Sequence, residues 1–232
     1  MAFKKMWLNI NGANRMFACD PVKDSLADVL RRLGLTSVKV GCGIGVCGSC
    51  TGLLNGELVR SCARKMARID EYSEVVTVEG IGTPTNLHPV QVAFMNNGAV
   101  QCGFCTPGFI VSTYALLLKN NNPTREDVRE WFQKHKNVCR CTGYKQIVDA
   151  VMDAAKVVRG EAIKVKLPED KEYYGKPLVR PTSLAKVCGL ADYGDDQELK
   201  MPSETYHVAM VQPRLAHHAK ILRIDKEEAE KM

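Results

Sequence analysis

The chain has 232 residues, enough for one large domain or two small ones, with 45% hydrophobic residues and a net charge of +6. The 32 basic and 26 acidic residues are mixed along the chain, and no basic tract interleaved with aromatics favours nucleic-acid binding. No apolar run has the length of a membrane span and the N-terminus lacks signal-peptide features, so we expect a cytoplasmic protein without membrane or nucleic-acid partners.

The first eighty residues show the patterns of short strands joined by turns. Asn-Gly pairs at residues 11–12 and 55–56 each separate two alternating runs, which predicts two β-hairpins. Residues 36–40 and 74–80 predict two further strands.

One helix is predicted among these strands, over "KDSLADVLRRLGL". Asp24 or Ser25 can cap its start, and Gly34 can end it. Strands around a single helix indicate an α+β domain over residues 1–80.

The apolar pattern becomes helical between residues 87 and 158. Pro89 is allowed in a first turn that His88 helps to start, Thr106 can cap the next helix, and Thr124 can cap another in a capping box with Asp127. Four helices are therefore predicted, over residues 88–98, 106–121, 124–135 and 142–158. We expect them to form a small four-helix bundle over residues 81–160.

The remainder of the chain changes character again. Residues 161–182 combine prolines with many charges and indicate a linker. Residues 183–232 return to strand-like runs, "TYHVAMV" and "KILRID", but contain too few apolar residues for a core of their own. We interpret them as the opening of a larger domain.

The ten cysteines suggest metal or redox chemistry, because a chain without an export signal is not expected to hold many disulfides. One set has the spacing C-x4-C-x2-C with a fourth cysteine after eleven residues, as in plant-type [2Fe–2S] ferredoxins. Its members are Cys42, Cys47, Cys50 and Cys62. Interleaved glycines let the loop bend and aim N–H groups at sulfur. The loop also contains a literal G-x-G-x-x-G, but no helix is predicted to follow, so a dinucleotide site is rejected.

A second set lies in "QCGFCTPGF" and "VCRCTGY", each pair directly before a predicted helix. Its members are Cys102, Cys105, Cys139 and Cys141. The helix between the pairs can return the chain and bring two positive helix ends to four thiolates. The C-x-C spacing is too tight for a disulfide and atypical for zinc, so we favour a second iron–sulfur cluster and keep a four-cysteine zinc site as the alternative.

The other candidate residues carry less information. Cys19 and Cys188 are expected to be buried, inert thiols. His217 and His218 have no supporting ligand pattern, and no nucleophile–base arrangement is apparent.

The two cysteine sets together resemble the iron–sulfur portion of the molybdenum hydroxylases, the family of xanthine dehydrogenase and aldehyde oxidoreductase. The resemblance is dense over residues 1–160. It continues at "RPTSLAKVCGLADYGDD" and beyond, which is similar to the start of the family's molybdenum-binding part. No flavin domain intervenes, and this order is similar to that of the flavin-free bacterial aldehyde oxidoreductases.

The resemblance implies an oxidoreductase that converts an aldehyde and water to a carboxylic acid at a molybdopterin, in its cytosine dinucleotide form. Electrons would pass through two [2Fe–2S] clusters to an external redox protein such as flavodoxin or ferredoxin. It implies that Gln101 and Cys141 contact the pterin, although Gln101 could instead cap a helix end. The implied partners are a molybdenum-binding domain or subunit and, in the complete enzyme, a second copy.

Two other functions stay open at this point. The chain could be the small iron–sulfur subunit of a xanthine, nicotinate or CO dehydrogenase with flavin on a separate chain, or a zinc-bound interaction module. The family's catalytic glutamate and substrate pocket lie in parts that this sequence does not contain. We therefore expect the molybdenum site to lie mostly outside it.

Overall fold

The computed structural model describes residues 3–161, 178–206, 208–210, 212 and 217–231. The chain divides into a large unit, Met1–Leu199, and a small one, Lys200–Met232. The large unit contains both predicted domains and all ten cysteines.

A mixed five-stranded sheet forms the N-terminal domain, with the strand order β2-β1-β5-β3-β4. Only β1 and β5 are parallel; the other neighbours are antiparallel. The strands are β1 Lys4–Ile10, β2 Ala13–Cys19, β3 Thr51–Leu54, β4 Glu57–Arg60 and β5 Glu74–Val76. Both predicted hairpins are confirmed, with the turns at Asn11-Gly12 and Asn55-Gly56.

The strand predicted at residues 36–40 is wrong, because this segment forms turns that lead into the first cysteine loop. Four consecutive residues, 36–39, are buried, so the segment has no alternation of inward and outward side chains. Ser37 bonds Glu79, and Lys39 bonds Asp196. Distant partners therefore fix its conformation.

One helix, α1 Leu26–Arg32, covers the sheet, and the Ser25 hydroxyl caps it in a capping box with Asp28. Gly34 adopts a positive φ directly after it, as predicted. The core between helix and sheet includes Leu8, Ile10 and Leu30, which are fully buried.

The four predicted helices of the second domain are present as α2 Pro89–Asn96, α3 Thr106–Lys119, α4 Arg125–Lys134 and α5 Tyr144–Val158. Thr124 and Asp127 form the predicted capping box. Thr106 is the first helical residue of α3 and not its cap, because Cys105 occupies the cap position. Thr142 has a φ of 55°, so α5 begins at Tyr144, two residues later than predicted.

Two further helices, α6 Ser183–Val187 and α7 Gly194–Glu198, complete the large unit. Val187 and Cys188 belong to the helical core together with Phe94 and Phe109. Residues 162–177, most of the predicted linker, lie outside the described residues.

In the small unit, the strand-like runs "TYHVAMV" and "KILRID" contain no strand in their described residues, which are exposed. Their apolar side chains are not packed, so alternation alone did not produce a strand. None of the helices in the described part of the chain combines the length and apolar character needed to cross a bilayer.

The two domains approach each other at backbone distance between the first cysteine loop and α3. A Cβ added to Gly108 would lie 2.4 Å from the Gly48 carbonyl oxygen. A Cβ on Gly48, whose φ is +69°, would lie 2.7 Å from the Lys136 carbonyl oxygen. Glycine at both positions permits this contact.

We expect Gly108→Ala to lower the free energy of unfolding. Alanine would add up to about 1 kcal/mol of helix propensity, but overpacking against an immobile carbonyl costs about 1–3 kcal/mol, so the clash prevails. Urea unfolding followed by circular dichroism measures the difference. Gly194→Ala is the control, because a Cβ there meets no atom within 4 Å. Equal stability of Gly108→Ala and the wild type would contradict the contact.

Candidate metal centre

The first cysteine set lies together at the end of the sheet. Cys42 and Cys47 lie on the loop 41–50, Cys50 directly precedes β3, and Cys62 follows β4. The side chains of Cys42 and Cys47 interact, as do those of Cys50 and Cys62. The structure thus brings together all four thiols that the sequence predicted for this site, as two neighbouring pairs.

Backbone N–H groups point at these sulfurs. The Val46 amide donates to Cys42 Sγ at 3.3 Å, and the Cys62 amide donates to Cys50 Sγ at 3.5 Å. Gly45 lies between Cys42 and Val46 in the loop and has a φ of +74°. A Cβ on Gly45 would lie 2.9 Å from the Ala63 Cβ. The loop path that directs these donors therefore requires glycine at residue 45.

The local environment shifts the pKa values of Cys42 and Cys50, in the first cysteine set, in opposite directions. Burial raises the pKa of the Cys42 thiol, but backbone N–H groups of Ile44, Val46 and Cys47 more than offset this and lower it to about 6. Burial raises the pKa of Cys50 to about 12, despite the Cys62 amide. Cys42 accordingly ionises more readily than Cys50.

The second set lies where α3 and α5 begin. Cys102 interacts with Cys141, and Cys105 interacts with Cys139. Cys105 is the cap residue of α3, and the Gly143 amide at the start of α5 donates to Cys139 Sγ at 3.4 Å. Four predicted thiols again meet as two pairs, beside two positive helix ends.

The thiols of this second set also differ in protonation. Burial is the main cause that raises the pKa of Cys105, and the neighbouring Cys139 and Cys102 thiols raise it further. Hydrogen bonding from the Cys102 backbone and side chain lowers the pKa of Cys141. Each site therefore contains one thiol with a lowered pKa, Cys42 or Cys141, and one whose pKa burial raises, Cys50 or Cys105.

Gln101 lies beside the second set, directly before Cys102. Its side-chain Nε2 donates to the Cys141 carbonyl oxygen at 3.4 Å, and the same nitrogen would be 2.9 Å from a Cβ on Gly143. The structure therefore places the two residues with an expected pterin contact, Gln101 and Cys141, next to each other. The side chain reaches across to the other cysteine loop and does not cap α3, which starts at Thr106.

A seam of direct contacts joins the two sites, and the sequence patterns did not reveal it. The Val138 amide donates to the Cys47 carbonyl oxygen at 3.0 Å, and Asn137 Nδ2 donates to the Gly48 carbonyl at 3.5 Å. Phe104 Cε1 lies 3.3 Å from the position of a Cβ on Gly41. The only sequence signal for this seam was the adjacency of these residues to predicted ligands.

The remaining candidates occupy the places expected of them. Cys19 and Cys188 are buried. The His88 side chain caps α2. His217 and His218 are exposed.

The donor atoms of both sites fit a two-iron, two-sulfide cluster. All ten cysteines are free of disulfides, and each site offers four thiols in two neighbouring pairs, the number that two tetrahedral irons require from protein. The amides that point at the sulfurs can stabilise negative charge on a thiolate-bound cluster. No group of three or more metal-binding side chains in the described residues is arranged around a single ion.

Two family models match the chain in succession. Residues 8–75 match the 2Fe-2S iron-sulfur cluster binding domain, and residues 77–152 match the [2Fe-2S] binding domain. Together they span both cysteine sets.

Relatives with known names extend this likeness over most of the chain. Aldehyde oxidoreductase of Megalodesulfovibrio gigas is 51% identical over 96% of this chain and 25% of its own length. The nicotine 6-hydroxylase small subunit of Paenarthrobacter nicotinovorans is 47% identical over 63% of this chain and 87% of its own. A crystal structure of the aldehyde oxidoreductase from Desulfovibrio desulfuricans superposes with a TM-score of 0.91 at 54% identity, over 99% of this chain and 26% of that one. The chain thus spans about a quarter of the length of these aldehyde oxidoreductases.

We expect Cys42 to be alkylated much faster than Cys50 in the folded, iron-free chain at pH 7. A thiol with a pKa of about 6 is mostly thiolate at this pH, whereas one with a pKa of about 12 is protonated. Lower intrinsic reactivity of the acidic thiolate reduces the contrast, which leaves a ratio of about tenfold or more. Iodoacetamide labelling followed by peptide mass spectrometry measures both rates.

The pH dependence provides a second reading of the same experiment. The Cys42 rate should rise through about pH 6 and then level off, because no further thiolate forms above its pKa. In concentrated urea the two rates should converge, since the local hydrogen bonds and burial are lost. Equal rates in the folded chain would contradict the assigned environments.

Proposed function

Because the chain belongs to the iron–sulfur portion of the molybdenum hydroxylase family, we propose that it relays electrons from a molybdenum centre to an external acceptor. The observation that carries this proposal is the side-by-side placement of two four-thiol sites across one backbone seam. When bound, each [2Fe–2S] cluster accepts and releases one electron at a time. The protein holds the two sites next to each other through direct contacts of the Cys47–Gly48 backbone with Asn137 and Val138.

The ligand assignment follows the cysteine pairs. Cys42, Cys47, Cys50 and Cys62 hold the first cluster. Cys102, Cys105, Cys139 and Cys141 hold the second. The support is the proximity of the thiols within each set and the backbone amides directed at Cys42, Cys50 and Cys139.

A molybdopterin, in its cytosine dinucleotide form, meets this chain at Gln101 and Cys141. Both residues lie together on the rim of the second site, where the Gln101 amide group can hydrogen-bond a pterin edge. The complete enzyme oxidises an aldehyde with water to a carboxylic acid. Similarity over 96% of the chain to an aldehyde oxidoreductase favours this activity over that of a small subunit with a separate flavin chain.

The domain assignment completes the proposal. Residues 1–80 form the ferredoxin-like domain, residues 81–160 the helical cluster domain, and residues 161–182 a linker. Residues 183–232 begin the molybdenum-binding part, which is the principal partner whether fused or separate. The complete enzyme is cytoplasmic and forms a homodimer.

The first site offers a surface for the external acceptor. Ile44 and Val46, at the tip of the cysteine loop, are 72% and 44% exposed. Arg60 Nε lies 3.7 Å from the position of a Cβ on Gly45, and Arg64 and Arg68 line the same depression. An apolar tip beside three arginines suits an acidic redox protein such as a flavodoxin or ferredoxin.

We expect about four irons per chain and two distinct [2Fe–2S] electron paramagnetic resonance signals in the anaerobically purified, reduced chain, since each cluster holds two irons. Cys47→Ser should abolish or strongly alter one signal and leave the other. Cys19→Ala, which changes a buried cysteine outside both sets, should keep both signals. One signal, two irons and a bound zinc would refute the second cluster and favour the zinc alternative.

We also expect the double variant Arg64→Glu and Arg68→Glu to slow reduction of an acidic flavodoxin by the pre-reduced chain. The slowing should be about tenfold or more at low ionic strength and shrink as salt screens the charges. Stopped-flow absorbance measures the rate. The matched control is Lys5→Glu with Arg15→Glu, which makes the same charge change on β1 and β2, toward the opposite edge of the sheet. Equal slowing by both double variants would contradict a localised docking surface.

A further inference from the structure

Residues 183–196, which we call the clasp, hold the backbone beside the second cysteine site from outside both cluster domains. Lys186 Nζ donates to the Gln101 carbonyl oxygen at 3.0 Å, and the Tyr193 hydroxyl donates to the Cys102 carbonyl oxygen at 2.7 Å. A Cβ on Gly103 would lie 2.4 Å from Lys186 Cδ and 2.7 Å from the Tyr193 hydroxyl. The clasp therefore touches three consecutive residues of the loop that carries Cys102.

A buried ion-pair cluster anchors the clasp to the ferredoxin-like domain. Asp196 is 1% exposed and pairs with Lys39, 2% exposed, and with Arg31, whose Nη1 lies 2.8 Å from its Oδ1. Arg31 also pairs with Asp195 at 2.7 Å. Breaking a buried pair by removing one partner leaves an uncompensated buried charge, which is strongly destabilising. Lys39 and Arg31 thus strongly favour the docked clasp.

The aromatic ring of Tyr193 connects this anchor to both cysteine loops. Lys39 Nζ lies 4.6 Å above the ring, and the Phe104 ring packs edge-on against it at 5.3 Å. Phe104 in turn packs against Gly41, next to Cys42.

We propose that Tyr193 and Lys186 are positioning residues for the second cluster site. Their hydrogen bonds to the Cys102 and Gln101 carbonyls hold in place the loop that carries these two residues. This inference rests on the proposed function, because it assumes a cluster at that site. Hydrogen bonds behind the ligands orient them and tune a metal centre, and solvent exposure adjusts the reduction potential of an iron–sulfur cluster. Cys102 is the exposed member of its set, so its loop depends on such support.

The test compares Tyr193→Phe with the wild type in the iron-loaded full chain. The variant removes only the hydroxyl and keeps the ring contacts with Phe104 and Lys39. We expect shifted g-values and a shifted midpoint potential for the second cluster, while the first cluster, identified by its loss in Cys47→Ser, stays unchanged. Tyr206→Phe is the matched control, because Tyr206 is 85% exposed.

Hydrogen exchange on the same samples gives a readout that is independent of the cluster signals. Loss of a bond worth about 1 kcal/mol should speed exchange in a peptide covering residues 101–106 about fivefold. A peptide covering the first cysteine loop, residues 41–50, should exchange at the wild-type rate.

The outcomes separate this proposal from the proposed function. If the wild type lacks a second [2Fe–2S] signal, the proposed function fails, and this inference fails with it. If both signals are present but Tyr193→Phe leaves the second signal, its potential and the exchange of residues 101–106 unchanged, only the positioning role is overturned. If Tyr193→Phe loses iron, Lys186→Met replaces it in the same measurements, with the same criteria. Lys186→Met removes the hydrogen bond from Lys186 Nζ to the Gln101 carbonyl oxygen.

Discussion

The structure depends on one close backbone approach, where the first cysteine loop meets the helical domain. The Cys47 carbonyl accepts from the Val138 amide, and the Gly48 carbonyl faces Gly108 across a gap too small for a Cβ. Cys47, a predicted ligand of the first site, is thereby bonded to the residue that precedes Cys139, a predicted ligand of the second. Because backbone positions vary less than side-chain rotamers, this seam fixes the spacing of the two sites more firmly than packing of long side chains would.

Buried ion pairs then attach a later segment of the chain to the domain that holds the first site. Lys39 and Arg31 arise from the ferredoxin-like domain, yet their carboxylate partners lie beyond the linker, at Asp195 and Asp196. Burial raises the pKa of Asp196, but hydrogen bonds from Lys39, the Tyr193 backbone and Arg31 outweigh this and lower it, so the carboxylate stays ionised. The iron–sulfur unit therefore extends past its two cluster domains and includes the clasp.

Local chemistry explains what the sequence could predict. The hairpin turns, the helix cap expected at Asp24 or Ser25 and the capping box at Thr124 depend on residues within a few positions of each other, and the structure has the turns, a cap at Ser25 and the Thr124 box. Two helix starts, at Thr106 and Thr142, were misplaced by one or two residues, and the larger failures are non-local. Residues 36–40 appeared strand-like but follow contacts to Glu79 and Asp196, and the seam at Val138 and the clasp residue Tyr193 carry no motif, since their partners are far away in sequence. The cysteine spacing predicted the two ligand sets. The residues that hold the cysteine loops in place, such as Val138 and Tyr193, are visible only in the tertiary contacts.

The two sites also differ in a way that gives the proposed relay a direction. Gln101 and Cys141 lie together on the second site, whereas the exposed Ile44 and Val46 lie on the first. An electron that enters beside Gln101 and leaves beside Ile44 has to cross the seam between Cys139 and Cys47, where the Val138 amide, Phe104 and two glycines fill the space with protein. Substitutions at the ligands would remove a cluster, whereas substitutions at the seam would change the separation and packing between intact clusters. Cluster binding thus depends on the cysteine side chains, whereas the packing between the clusters depends on Val138, Phe104 and the glycines, so the two can be altered separately.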